Sequence, residues 1–172
     1  MSKDLIINKL QEWGYTDEAI AGLLGNIAVE TGATYDPKTK QVGGAGYGIL
    51  QFDYMKPYYK KWLKENKKKD NLNNQLGFFH DTIYGDSQDI IGAGNAEKLR
   101  EVLEGGNTQD VTTTLSTLWL RPGKPHLERR VQSAQAEFEN LSKDKNKEAV
   151  PDGEPWYNEM LSGVKKLFSN TF

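Results

Sequence analysis

An α+β fold in which helices dominate is what this chain predicts, and three observations predict it. Apolar residues recur every three or four positions in six or seven separate stretches, most of them opened by a capping residue or closed by glycine or proline. One glycine-rich segment, Gly43-Gly44-Ala45-Gly46-Tyr47-Gly48, lies between short runs, Gln41-Val42 and Tyr47 to Phe52, that suit a single small β-hairpin. The 172 residues, 37% hydrophobic and 27% charged, are enough for one domain with a real core and a short appendage.

The elements follow in order. Leu5, Ile6, Leu10 and Trp13 give a first helix that Gly14 stops. Thr16 is a good N-cap for a second, with Asp17 and Glu18 in its first turn; the stripe Ile20, Leu23, Leu24 and Ile27 carries it to about Thr31, and Gly32 lies past its end. Residues 33–53 are turn-rich. A third helix begins after Asp53, carries Tyr54, Tyr58, Trp62 and Leu63, and ends in Lys67-Lys68-Lys69. Asn71 opens a fourth, with Leu76, Phe79 and Ile83, ending near Gly85. Asn95 to Leu103 is a fifth, closed by Gly105-Gly106. Asn107 or Thr108 caps a sixth, with Val111, Leu115, Leu118 and Trp119. Arg121-Pro122-Gly123-Lys124-Pro125 is a sharp break from which Pro125 can start the seventh, bearing Leu127, Val131, Ala134 and Phe138. Composition then shifts. Residues 1–142 form the main domain, residues 143–155 (KDKNKEAVPDGEP) a polar linker, and residues 156–172 a short amphipathic segment with Trp156, Met160, Leu161, Val164 and Phe168.

Several function classes are disfavoured. A formal net charge of -2 argues against a general nucleic-acid binder. No run of 18 apolar residues is present to insert in a membrane, and Met1-Ser2-Lys3-Asp4 does not open a signal peptide. Without cysteine there is neither a disulfide framework nor a thiol nucleophile. His80 and His126 are the two histidines; they form no HExxH pair, and no GxSxG elbow appears, so neither a zinc site nor a serine hydrolase is expected.

Glu30 is the leading candidate for chemistry. Taking 100° per residue, it falls about 60° from the middle of the second helix's stripe, on its edge. Cleaving a glycosidic bond requires a proton donor that is still protonated near neutral pH, whereas a free Glu has a pKa of about 4.3. Apolar neighbours such as Ile27 and Val29, and the negative end of the helix dipole, both act to raise it. A solvated glutamate in a last helical turn is the plainer reading of the same residue. The glycines that follow let the backbone approach a ligand such as a sugar acetamide, or simply make a tight hairpin. Tyr54, Tyr58, Tyr59 and Trp62 suit sugar stacking or, at helical spacing, the core. Tyr84 and His80 read as packing residues, Arg121 and Arg129 as braces of helix ends, and the Lys56 to Lys69 run as a solvated face able to attract anionic wall polymers.

The strings Glu30-Thr31-Gly32 and Gly46-Tyr47-Gly48-Ile49-Leu50-Gln51, in this order, resemble the lysozyme-like superfamily that cleaves the glycan strands of peptidoglycan, to which goose-type lysozymes and soluble lytic transglycosylases belong. The helix wording from Ala21 to Gly32 is closer still to the phage tail lysozyme family, and Arg121-Pro122-Gly123-Lys124-Pro125 followed by Glu128-Arg129-Arg130-Val131 is similar to that family's last helix region. The resemblance covers residues 3–141. It implies a lysozyme-like fold with the hairpin beside the active-site cleft, Glu30 as proton donor, Gln51 in the cleft, and Gly46, Tyr47 and Gly48 lining the sugar sites. Asp53 matches an aspartate that holds the attacking water in goose-type enzymes, and equally suits an N-cap of the third helix. The further aspartate of that pattern is missing from Gln41-Val42-Gly43, where Asp36 is the nearest substitute, and Leu50 stands for the usual Met.

The resemblance therefore implies a bacteriolytic peptidoglycan hydrolase, a muramidase cutting the β-1,4 bond between N-acetylmuramic acid and N-acetylglucosamine. A single acid with a distant water holder points to inversion. No cofactor and no metal are implied. The expected partners are peptidoglycan glycan strands and other phage virion or lysis proteins, with no nucleic acid and no membrane insertion. A phage lysin or tail-associated lysozyme would be made in the host cytoplasm without a signal peptide and reach the wall through holins or on the virion. The alternatives are a lytic transglycosylase that leaves 1,6-anhydro ends, or a non-catalytic wall-binding module.

Overall fold

The computed structural model describes residues 2–41 and 43–148, with side chains to residue 145. The chain divides into two compact units, Met1–Leu141 and Ser142–Phe172. The helices are α1 (Ser2–Glu12), α2 (Asp17–Thr31), α3 (Lys56–Glu65), α4 (Leu72–Tyr84), α5 (Ala93–Gly105), α6 (Thr108–Thr114) and α7 (Leu127–Glu148), with a 3₁₀ turn at Gln88–Ile90 and a π-helical stretch at Leu115–Leu120. Among the described residues no helix is long and apolar enough to cross a membrane. In the second unit the described part is the end of α7, which runs into the stretch whose composition reads as linker. Its Lys, Glu and Asn residues tolerate a helix, and the first breaker, Pro151, comes later. The amphipathic segment 156–172 lies outside the described residues.

The caps do what the side chains dictate. Thr16, Asn71 and Asn107 each accept a hydrogen bond from the backbone N–H three residues on, and Gly32 closes α2 in the left-handed conformation (φ 60°). The third helix differs. It opens at Met55 with no side-chain cap, and Pro57 supplies the preset backbone of its first turn.

Helix α2 is the axis of the first unit. Every residue from Ala19 to Ile27 is buried, so burial extends well beyond the stripe Ile20, Leu23, Leu24 and Ile27. Two glycines make this possible by letting backbones meet. A Cβ on Gly22 would lie 2.5 Å from Val111 Cγ1 of α6, and one on Gly25 would lie 2.6 Å from both N and Cβ of Ala134 on α7. The aromatic part of the core, Phe52, Tyr59, Phe78, Phe79 and Trp119, packs edge-on and tilted, with ring centroids 4.7–5.9 Å apart.

The small hairpin does not form. Among the described residues there is no strand, and the glycine-rich segment contributes one isolated antiparallel bridge, Lys40 to Tyr47. The reason is Gly48, whose φ of 82° turns the chain immediately after Tyr47, so residues 48–51 coil instead of continuing a ladder. The fold is thus predominantly helical, with no strand among its described residues, rather than α+β. A buried side chain supplies what a partner strand would have given. Gln75 Oε1 accepts from Ile49 N (2.9 Å), and its Nε2 donates to Pro37 O (2.8 Å) and Asp70 Oδ1 (3.1 Å). Asp70 also accepts from Tyr47 (2.5 Å) and Tyr59 (2.8 Å). Burial works to raise the Asp70 pKa, but the hydrogen bonds from Tyr47, Gln75 and Tyr59 outweigh it and hold this carboxyl below its ordinary range.

At the joint of α1 and α4 an aromatic stack encloses His80, with Trp13 at 4.5 Å and Tyr84 at 4.9 Å. Burial pushes the Tyr15 hydroxyl far above its usual range, so it stays protonated, and it shares a hydrogen bond with His80 Nδ1 (3.0 Å). Burial also lowers the His80 pKa, against a smaller opposing effect of Asp81. The folded protein therefore binds this proton less readily than the unfolded chain, and stability falls as pH drops through about 6.5, the unfolded value.

Two outcomes are expected. Gly25→Ala should cost about 1–3 kcal/mol in urea unfolding, because Ala134 is met at its backbone and cannot simply rotate away. Stability measured at pH 5.5 should lie below that at pH 7.5, and His80→Phe should flatten the difference over that window.

Candidate active site

A cleft of about 610 Å³ opens where the end of α2, the turn 50–54 and the segment 120–126 meet. Glu30, Gln51 and Asp53 all line it, three residues widely spaced in sequence. Glu30 and Asp53 are the two acids among its lining residues. Asp53 is exposed, and it caps nothing with its side chain; its carbonyl accepts from Lys56 N (3.1 Å) as the chain enters α3. Gly46, Tyr47 and Gly48 are not among the lining residues. Gly46 and Gly48 are buried behind the turn, and Tyr47 reaches Asp70. What this segment does is hold Gln51. Gln51 Nε2 donates to Gly48 O (2.8 Å) and Thr39 O (3.3 Å), and a Cβ on Gly46 would lie 2.7 Å from Gln51 Oε1. Asp36 is exposed outside the cleft and accepts from Lys38 N (2.9 Å).

The residue that sequence reading passed over is Arg130. It is 2% exposed, and each of its three guanidinium nitrogens donates a hydrogen bond. Nε donates to Pro125 O (2.6 Å), Nη1 to Asn26 Oδ1 (3.1 Å) and more weakly to Asn26 O (3.5 Å), and Nη2 to Glu30 Oε1 (2.7 Å). Asn26, also fully buried, donates to Gly22 O (2.9 Å) and Thr112 O (3.1 Å). One side chain thus joins α2, the approach to α7 and, through Asn26, α6. Glu30 is 16% exposed, with Oε1 committed to Arg130 and Oε2 without a hydrogen-bond partner among the described residues. The available signal was positional. Arg130 lies in the string Glu128 to Val131 and shares an apolar α7 face with Ala134, where an arginine needs a partner.

The aromatic side of the cleft is Tyr54, 37% exposed, whose hydroxyl donates to Trp119 O (2.7 Å) and whose ring lies 5.4 Å from the Arg121 guanidinium. Arg121 closes the π-helical stretch in the left-handed conformation (φ 49°). Gln51 (φ 47°) and His126 (φ 47°) do the same elsewhere on the rim, so three of the six described non-glycine residues with positive φ line this one cleft. Such conformations cost about 1–3 kcal/mol each and concentrate at ligand sites. Lys124 and Arg121 add positive charge to the cleft, and neither has an acidic partner among the described residues. No group of three or more His, Asp or Glu close enough to hold a metal ion occurs among the described residues.

A helical domain with a carboxyl group anchored at one oxygen, a second acid, an amide and an exposed aromatic ring around one cleft has the equipment of a glycan-cleaving enzyme. The chain belongs to the phage tail lysozyme family, whose model matches residues 2–141. Membership carries peptidoglycan degradation, by an enzyme of glycoside-hydrolase type associated with phage, as the class of activity. Among curated proteins nothing matches the chain.

Removing the guanidinium leaves two mostly buried acceptors, Glu30 Oε1 and Asn26 Oδ1, without their donor. Arg130→Met should therefore destabilise the protein by about 3 kcal/mol in chemical denaturation, toward the lower end for a broken buried pair because Glu30 retains some solvent contact.

Proposed function

We propose that this protein is a muramidase, which hydrolyses the β-1,4 bond between N-acetylmuramic acid and N-acetylglucosamine in bacterial walls. The observation that carries the reading is that Glu30, Gln51 and Asp53 share one cleft, with Glu30 held by a buried arginine at one oxygen and open at the other.

In this reading Glu30 Oε2 gives its proton to the glycosidic oxygen as the C1–O bond of the muramic unit breaks. The carboxylate left behind keeps a guanidinium on Oε1, which stabilises the charge as it develops. The sugar passes through an oxocarbenium-like transition state. Water attacks C1 and yields its proton to Asp53, which releases it to solvent, while Glu30 is reprotonated from solvent. Gln51, fixed by Gly48 and Thr39, orients the sugar or the water from the same turn. With one acid on the leaving side and Asp53 as base, water adds directly and the anomeric configuration inverts. Tyr54 offers its ring face to a sugar. The setting that fits is a phage virion or lysis system acting on the wall, as a tail-associated lysozyme or a lysin.

Glu30→Gln should lower wall clearing by at least about 10²-fold with the fold intact, and Asp53→Asn by a smaller factor. Muropeptides weighed by mass spectrometry should carry reducing ends. Anhydro ends would assign the transglycosylase reaction instead, and undiminished action of Glu30→Gln would remove Glu30 from the chemistry altogether.

A further inference from the structure

A second groove, of about 620 Å³, lies along α3 and α4 beside the end of α1, and it holds neither Glu30 nor Gln51. Its aromatic lining is rigid. Trp13 stacks on His80, while Trp62 donates its indole N–H to Asp81 Oδ2 (2.9 Å) and has the Lys68 ammonium 4.4 Å from its ring centroid. Its rim is polar and of mixed charge. Asp86 and Asp89 are exposed and without a hydrogen bond or ion pair among the described residues, while Lys61 and Lys68 lie nearby. One aromatic ring remains open: Tyr58 is 48% exposed. Asp86 and Asp89 stand free, Lys61 is paired with Glu65 (3.8 Å), and an aromatic lining ringed by both signs of charge suits a neutral ligand rich in hydroxyl and amide groups. Carboxylates accept from hydroxyls, ammonium groups donate to acetamide carbonyls, and an exposed ring takes the apolar face of a sugar.

The groove is also next to the cleft. Of the four large hydrophobic side chains that the described surface exposes, two are Tyr54, which lines the cleft, and Tyr58, which lines the groove. Across the same ridge Arg121 of the cleft donates to the carbonyl of Ile91 (3.3 Å), the neighbour of Ile90 in the groove. We propose that the groove is an accessory binding site for peptidoglycan glycan, taking N-acetylated hexosamine units outside the reacting cleft and holding the protein on the insoluble wall. The proposal rests on the glycan-cleaving reading for its choice of polymer.

The test uses the full chain carrying Glu30→Gln, so that binding is read without cleavage. Adding Tyr58→Ala and Asp89→Ala, two exposed side chains without partners, should weaken co-sedimentation with purified insoluble peptidoglycan by about fivefold. Soluble N-acetylglucosamine oligomers, which are neutral, should shift the indole N–H resonances of Trp13 and Trp62 in the Glu30→Gln chain. Unchanged sedimentation in the triple variant, or resonance shifts confined to the cleft, would overturn the accessory site. Either result is independent of turnover: a parent chain that released no muropeptides would sink the muramidase reading and leave the binding measurement standing.

Discussion

The Arg130 guanidinium is the interaction on which the rest of the site depends. Burying it is costly unless each of its donors finds an acceptor, and here they reach Pro125, Asn26 and Glu30. Asn26 and Glu30 stand on α2, and Pro125 on the segment that leads into α7. Glu30 therefore cannot swing free without leaving a buried cation unpaired, and α7 cannot slide along α2 without breaking the same contacts. The glycine approaches at Gly22 and Gly25 set the distance over which this clamp works, because any side chain there would push α6 or α7 out of reach. Packing and site geometry are one constraint.

The other half of the cleft is organised by a different polar centre. Gln75, itself held by Asp70, accepts from the backbone of a turn that has no sheet to belong to, and that turn presents Gln51 and Asp53. Trp119 bonds to Thr82 through its indole and accepts from Tyr54 through its carbonyl, which ties the aromatic rim to the core of α4. Glu30 on one side, and Gln51 with Asp53 on the other, are thus mounted on two separately braced supports that face a common space.

Much of this was legible in the residues. Thr16, Asn71, Asn107 and Gly32 mark helix limits because their side chains, or the lack of one, act on the nearest backbone groups, and such local chemistry survives without tertiary context. That Glu30 and Gln51 belong together came from the resemblance of their strings to a known superfamily, not from local chemistry. What was not readable was long-range. The hairpin expected at residues 41–52 stops where Gly48 turns the chain, and the buried Ile49 N–H then finds its acceptor in a glutamine over twenty residues away, which nothing near Gly48 announces. Gly46 to Gly48 looked like ligand-contacting residues, yet two of them are buried under side chains from elsewhere. Arg130 was quoted as part of a motif, but that it is buried, and paired to Glu30, depends on α7 lying against α2.

The segment between Arg121 and Pro125 has both ends fastened, one by the cap of the π-helical stretch and one by the bond from Arg130 to the Pro125 carbonyl. Pro122, Gly123 and Lys124 hang between these fixed points, facing the cleft. Nothing in the clamp or the core passes through their side chains. A substitution in this short span would change what faces the cleft while leaving the Arg130 bonds and the helical core beneath it as they are.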